Sequence, residues 1–106
     1  GNDLIASTFR QIELYSALGL QVPRFAHVPL VCGPDGRRLA KRHGDTRLSL
    51  YRERGVSPAR IITWAARSAG LIDEHANIEN IDSVIEYFDW GKIPQQDTRV
   101  DTDAFQ

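Results

Sequence analysis

Helix start and stop signals recur along this chain and limit it to short helices. Gly19, Gly55 and Gly70 each follow a stretch of helical periodicity, and glycine directly after such a stretch favours helix termination. Ser57 and Pro58 together are typical of a helix start, because proline at the first helical position needs no N–H partner. The spacing of these signals predicts a mainly α fold.

The first and last predicted helices have their own boundary signals. Thr8 and Gln11 fit a capping box, which predicts a helix over residues 7–18. Residues 46–55 are predicted to form a short helix, and Asn80 can cap the last one. In that last helix four apolar residues follow the i, i+3, i+4, i+7 pattern: Ile81, Val84, Ile85 and Phe88.

One apolar run, RFAHVPLVC at residues 24–32, is predicted to contain a strand. Pro29 lies inside the run and cannot donate to a β-ladder, which favours a short or edge strand. The GPDG sequence that follows favours a tight reversal. We therefore predict a small β-hairpin made of residues 28–31 and 37–39. The last residues, 93–106, have no periodicity and are predicted to be extended or frayed.

Charge is distributed unevenly along a chain whose formal net charge is only −1. Residues 24–54 hold eight Lys/Arg against three Asp/Glu, whereas residues 71–106 hold two against nine. The acidic part has the character of a solvated surface. The basic part is also rich in glycine, and that combination favours an anionic partner such as a phosphate or a nucleic acid.

Several classes of protein and site are excluded or disfavoured by composition. Cys32 is the single cysteine, so the chain has no internal disulfide framework and no cysteine-based zinc site. No apolar run approaches the ~20 residues that cross a bilayer, so no membrane partner is expected and a cytoplasmic location is the default. The chain does not begin with methionine, and we expect it to be a fragment of a longer protein.

The basic charge is concentrated in GPDGRRLAKRHGD, residues 33–45. This segment contains four Lys/Arg, one His and three Gly. Glycine lets backbone N–H groups approach an anion closely, and Lys or Arg supplies positive charge. The Walker sequence G-x-x-x-x-G-K-[ST] and the G-x-G-x-x-G sequence are both absent. Composition alone therefore predicts a phosphate-binding loop of unspecified kind.

The order of the residues is more specific than their composition. HVPLV at residues 27–31, followed by RLAKRHG at residues 38–44, resembles the KMSKS region of class I aminoacyl-tRNA synthetases. In the glutamyl branch of that family the motif often reads K-L-S-K-R-H-G. The resemblance extends over residues 1–71, where YRERGVSPARIITWAARSAGL resembles the helical stem-contact segment.

The resemblance implies a fold and a division of the chain. Residues 1–45 would be the end of a Rossmann-like nucleotide-binding catalytic domain, including the KMSKS-like loop. Residues 46–106 would be a helical stem-contact region followed by a C-terminal tail. The expected fold class is therefore mainly α with a short β-hairpin.

The resemblance also implies residues of the ATP site. Lys41 matches the second lysine of the motif, which contacts the ATP phosphates in the transition state and would stabilise charge on the leaving pyrophosphate. Arg38 stands at the first lysine, and Arg42 follows Lys41 within the same phosphate-binding motif. Ala40 replaces the usual serine, so one hydroxyl hydrogen bond of the family motif is absent here.

Three more positions of the ATP site are implied outside the basic loop. His27 begins the stretch whose backbone recognises adenine, with the contact expected around Leu30 and Val31. Asp3 matches the acidic residue of the R-G-x-[DE] segment, which lies near the ATP ribose. The resemblance does not identify residues that bind tRNA.

Residue type alone leaves simpler interpretations open for several of these positions. His27 could be a structural histidine bonded to the backbone, and His43 an ordinary loop residue. Asp3 could be a solvated or capping carboxylate. We expect Trp64 and Trp90 to pack in the core or against a helix rather than to stack on nucleic-acid bases.

The implied activity is ATP-dependent activation of glutamate followed by its transfer to tRNA. ATP with Mg²⁺, glutamate and tRNA would be the ligands, with no metal site inside this piece. The isolated fragment is expected to be inactive, because the H-I-G-H signature and the amino-acid pocket would lie upstream.

Two other functions stay open. The short segment after FDWGKIPQQDTRVD suits glutamyl-Q-tRNA(Asp) synthetase, which modifies queuosine in tRNA. An alternative of another class is a non-catalytic RNA-binding module, whose affinity would fall steeply with salt. A purely structural helical domain would require the motif match to be a coincidence.

Overall fold

The computed structural model describes residues 1–40 and 47–101, and its secondary structure is mostly helical, as predicted. The elements, in chain order, are a 3₁₀ turn at Asn2–Leu4, helix α1 at Ile5–Ala17, strand β1 at Val31–Cys32, helix α2 at Leu48–Glu53, helix α3 at Pro58–Ser68, helix α4 at Ile81–Tyr87, a second 3₁₀ turn at Trp90–Lys92 and strand β2 at Thr98–Arg99.

Most predicted helix ends are confirmed. Gly19, Gly55 and Gly70 follow the helices and have φ values of 66°, 74° and 70°, in the left-handed region that glycine adopts without strain. Asn80 caps α4, because its side-chain oxygen accepts the backbone N–H of Ser83 at 3.0 Å. Local residue chemistry therefore determines where these helices stop and start.

The predicted capping box at the start of α1 is wrong. The helix begins at Ile5, so Thr8 lies in its first turn rather than before it. The 3₁₀ turn leads directly into the helix, and no side chain caps it. The Thr8 hydroxyl oxygen instead lies 3.2 Å from the carbonyl oxygen of Leu4.

The predicted hairpin is present as a chain reversal but not as a two-stranded ladder. Gly36 has a φ of 75° within the turn, and Leu39 donates its N–H to the Val31 carbonyl at 2.9 Å. Cys32 and Arg38 form an antiparallel bridge across the reversal. The strand occupies Val31–Cys32 instead of residues 28–31, so it begins beyond the proline that cannot donate.

The partner of β1 is β2, from the tail that was predicted to be extended or frayed. The two strands pair in parallel, with Val31 opposite Thr98 and Cys32 opposite Arg99. Val100 continues the contact by donating its N–H to the Cys32 carbonyl at 2.9 Å. The predicted division of the chain at residue 45 stays a prediction. The two paired strands lie on opposite sides of that boundary.

The core lies mainly beneath the helical region. Tyr51 of α2 and Val100, which follows β2, are both buried and form one cluster. Four partly buried apolar side chains pack against this cluster: Leu39, Val56, Ile61 and Trp64. The prediction that Trp64 packs in the core is thus confirmed.

Trp90 and the apolar stripe of α4 are solvent-exposed. Trp90 is 60% exposed and contacts the ring of Phe88 edge-on, with 5.0 Å between ring centroids. Ile81 and Ile85 are 61% and 71% exposed. Trp90 is therefore not in the core, and its ring contact is with Phe88, the C-cap residue of α4. None of the helices in the two described ranges has the length and apolar content to span a bilayer.

Candidate functional site

The candidate site forms where the amino-terminal turn meets the run leading into β1. Asn2 donates its backbone N–H to the carbonyl of Val28 at 2.9 Å. Gly1 approaches Leu30 so closely that a Cβ built on Gly1 would lie 2.5 Å from the Leu30 Cδ2 atom. A side chain at position 1 would require the ends of the Leu30 and Asp3 side chains to shift.

Asp3 and Arg38 are brought together at this site. The Nη1 atom of Arg38 lies 2.9 Å from the Oδ2 atom of Asp3 and donates a charge-assisted hydrogen bond. The Arg38 side chain is 66% exposed, so solvent screening leaves the pair little weight in stability. Its effect is geometric, because it holds the guanidinium beside the amino-terminal turn.

His27 connects the amino-terminal turn to α1. Its Nδ1 atom lies 3.1 Å from the Gly1 carbonyl oxygen, and its Nε2 atom lies 2.9 Å from the Thr8 hydroxyl. Since a carbonyl oxygen only accepts, Nδ1 is the protonated nitrogen in the first contact. These contacts match the interpretation of His27 as a backbone-bonded structural histidine. Its role in ATP binding stays a prediction.

Leu30 and Val31 differ in how their backbone groups are used. The Leu30 N–H donates to Oδ1 of Asp97 at 2.8 Å, and its carbonyl accepts the Thr98 N–H at 2.9 Å. The Val31 carbonyl accepts the Leu39 N–H. The N–H and carbonyl of Leu30 are therefore committed within the protein, and the adenine contact around Leu30 and Val31 stays a prediction.

Asp97 is a site residue that sequence reasoning missed. Its Oδ1 atom accepts hydrogen bonds from the Leu30 N–H and from Nδ2 of Asn2, at 2.8 and 2.9 Å. The Cys32 sulfur lies 4.0 Å from its Oδ2 atom. The Leu30 hydrogen bond, followed by the Asn2 one, lowers the pKa of Asp97. The one signal in the sequence was a carboxylate directly before Thr-Arg-Val, in which Thr and Val are β-branched and favour a strand.

The predicted phosphate contacts, Lys41 and Arg42, lie outside the described residues, as does His43. The chain is described up to Ala40 and again from Arg47, which precedes α2. Within residues 1–40 and 47–101, no three His, Cys, Asp or Glu side chains cluster as metal ligands would. Arg38 is thus the described member of the predicted phosphate-binding set.

A separate cavity of about 560 Å³ lies along one side of α3. Its lining includes Arg60, Trp64 and Arg67, together with the segment around Asn77. Arg67 donates to the Ala76 carbonyl at 2.8 Å, which holds that segment against the helix.

The whole chain, residues 1–106, matches the protein family described as tRNA synthetases class I (E and Q), catalytic domain. The chain belongs to this family. The resemblance read from the KMSKS-like motif is confirmed at this level.

Individual relatives of this class I synthetase segment divide into two kinds. A glutamyl-Q tRNA(Asp) synthetase from Rhodopirellula baltica is 55% identical over 108 residues, covering 95% of this chain and 33% of the relative. One of the same name from Symbiobacterium thermophilum is 45% identical, covering 94% of this chain and 31% of the relative. A glutamate–tRNA ligase from Halorhodospira halophila is 40% identical, covering 88% of this chain and 20% of the relative. The chain thus spans a third or less of the length of these relatives.

Proposed function

We propose that this chain is a segment of a glutamyl-type synthetase that activates glutamate with ATP and transfers it to tRNA. The observation that carries the proposal is the meeting of Asp3, Arg38 and the 27–31 run, all of which the family resemblance assigns to one ATP site. Asp3 lies far from the other two along the chain, so it is the fold that brings them together. The segment contributes part of the ATP site in the cytoplasm, where tRNA is charged.

The reaction needs no covalent nucleophile from this segment. A glutamate carboxylate oxygen attacks the α-phosphorus of ATP, the bond to the β-phosphate oxygen breaks, and pyrophosphate leaves with the electron pair. Lys41, together with Arg38 and Arg42, stabilises the negative charge that accumulates on the pyrophosphate. Mg²⁺ enters with the ATP phosphates as part of the substrate.

The rest of the segment orients ATP. Asp3 accepts a hydrogen bond from a ribose hydroxyl, while its other oxygen keeps Arg38 in place. Adenine contacts the backbone at Val31, and Leu30 shapes the same surface through its side chain. His27 holds the turn that carries Asp3. These roles are positional and electrostatic, which is how binding energy is converted into rate.

The nature of the acceptor distinguishes two candidates. Glutamate–tRNA ligases are named for tRNA charging, whereas the relatives at 55% and 45% identity are glutamyl-Q tRNA(Asp) synthetases. Those identities favour queuosine in tRNA as the acceptor. The α3 cavity and its arginines are then a surface for tRNA. Incorporation of labelled glutamate into tRNA that contains or lacks queuosine separates the two candidates.

Lys41→Ala in the full-length protein tests the function. We expect the rate of glutamate-dependent ATP–pyrophosphate exchange, measured with tRNA present, to fall by about 10²-fold, as expected for loss of a charge-stabilising group. Lys92→Ala is the matched control, since Lys92 is the other lysine of the chain and lies outside the site.

The alternative of a non-catalytic RNA-binding module makes a different prediction. In that case Lys41→Ala weakens tRNA binding in a salt-dependent manner, and the full-length protein performs no exchange. Normal exchange by the Lys41→Ala protein, equal to that of Lys92→Ala, would contradict the phosphate role.

A further inference from the structure

Asp97 joins two chain segments that are otherwise far apart in sequence. A single oxygen, Oδ1, accepts hydrogen bonds from the amide of Leu30 and from the side chain of Asn2. Both donors belong to the stretches that the proposed function assigns to ATP. The carboxylate itself belongs to the tail that follows α4.

The contact with Leu30 immobilises the backbone just before Val31. The Leu30 N–H is held by Asp97 and its carbonyl by the N–H of Thr98, at 2.8 and 2.9 Å. With both polar groups of this residue bonded to consecutive tail residues, the orientation of the next peptide group is restricted. That next residue is the proposed adenine contact.

The contact with Asn2 acts on the other half of the site. Asn2 lies in the turn that precedes α1, and its backbone N–H is bonded to Val28 at 2.9 Å. The Asp97 hydrogen bond fixes the Asn2 side chain as well. Asp3, the proposed ribose contact, is the next residue, so the same carboxylate is bonded next to both proposed nucleoside contacts.

We infer that Asp97 is a positioning residue for ATP, acting through Leu30 and Asn2 without touching the nucleotide. The inference rests on the proposed function, because it needs the 1–3 and 27–31 stretches to form the nucleoside site. It assigns a task to the tail, which the sequence predicted to be extended or frayed. Because the adenine and ribose of ATP are remote from the reacting phosphorus, loss of their contacts weakens binding equally in the ground state and the transition state, which raises KM rather than lowering kcat.

Asp97→Ala and Asp97→Asn in the full-length protein test this role. Alanine removes both hydrogen bonds, so we expect the KM for ATP in pyrophosphate exchange to rise about tenfold, with kcat and the KM for glutamate changed less than about twofold. Asparagine keeps an accepting oxygen without the charge, so its KM for ATP lies between those of wild type and alanine.

Asp73→Ala is the matched control. Asp73 also accepts two N–H hydrogen bonds through one oxygen, from His75 at 2.9 Å and from Ala76 at 2.8 Å, in a loop outside the site. We expect its KM for ATP to equal that of wild type. Amide hydrogen exchange at Leu30 supplies a readout that does not depend on turnover: it should accelerate in Asp97→Ala and stay slow in Asp73→Ala.

The possible results distinguish failure of the Asp97 inference from failure of the proposed function. An unchanged KM for ATP in Asp97→Ala, or a fall in kcat with no change in KM, would overturn the role of Asp97 alone. An equal rise in the KM for ATP in Asp73→Ala would also overturn that role, because it would indicate a general loosening of the fold. A wild-type protein that neither binds ATP nor performs exchange would overturn both.

Discussion

The region around β1 and the helical region from α2 to α4 are stabilised by different interactions. In the first, exposed charged and polar side chains join distant segments, as in the Asp3–Arg38 pair and the bonds of Asp97. In the second, α2, α3 and the segment after α3 contribute the buried residues Tyr51, Thr63, Ala66, Leu71 and Ile78, whereas α4 contributes none. Exposed polar bonds contribute little stability but restrict geometry, whereas buried groups contribute most of the stability.

The two regions should therefore respond differently to substitution. Changes in the helical region should lower the free energy of unfolding. Changes around β1 should alter nucleotide affinity while the free energy of unfolding stays nearly constant. Three substitution experiments on stability follow from this difference.

The largest effect is expected for Gly70→Ala. Gly70 has a φ of 70°, and a Cβ there would lie 2.6 Å from the backbone oxygen of Lys92. Left-handed strain and a clash with backbone add, so we expect a loss of about 3 kcal/mol in the free energy of unfolding. Urea unfolding followed by tryptophan fluorescence measures it.

Gly55→Ala is the control for that experiment. Gly55 has a φ of 74°, but a Cβ there would have no neighbour within 4 Å among the described residues. Only the strain of the left-handed backbone applies there, so we expect a loss of about 1 kcal/mol in the free energy of unfolding. Equal losses for the two variants would show that the Gly70–Lys92 contact does not contribute.

A smaller effect is expected for Thr63→Val. The buried Thr63 hydroxyl accepts the Ile78 N–H at 2.9 Å and donates to the Ile78 carbonyl at 3.1 Å. Valine has the same shape but leaves both groups without their partner, so we expect a loss of about 2 kcal/mol. Thr63→Ser, which keeps the hydroxyl, should lose less in the same urea titration. A larger loss in serine than in valine would contradict a hydrogen-bonding role.

The smallest effect concerns the pH dependence at Asp97. Because its hydrogen bonds to Leu30 and Asn2 lower the pKa of Asp97 in the folded state, the ionised form is favoured there. Its contribution is complete above about pH 5 and is lost as the pH falls below the ordinary carboxylate pKa of about 4. Comparison of urea midpoints at pH 7 and pH 3 should show a slightly larger drop in wild type than in Asp97→Asn. A larger drop in the variant would have the wrong sign.

Sequence reasoning succeeded where the determining interactions are local. Gly19, Gly55 and Gly70 end helices because a left-handed residue is needed there, and each helical stretch lies beside its glycine. Asn80 caps α4 through a residue three positions ahead. The KMSKS-like order of residues is likewise contiguous, so the family could be read from it.

It failed where the partner of a residue lies far along the chain. Thr8 matched a capping pattern, but the preceding turn extends the helix past it and His27 bonds to its hydroxyl. Trp90 is a large aromatic residue of the kind often buried in a core, yet it is exposed because the fold brings no core surface of the described residues against it. Neither outcome is encoded in the neighbouring residues.

The amino-acid sequence by itself determined the helix boundaries at the glycines, the position of the chain reversal and the family. The tertiary structure alone decided that residues 98–99 pair in parallel with β1 and that Asp97 holds Leu30 and Asn2. The physical reason is the range of the interactions. Capping and turn preferences act over a few residues, whereas strand pairing and carboxylate bridging depend on how distant segments pack.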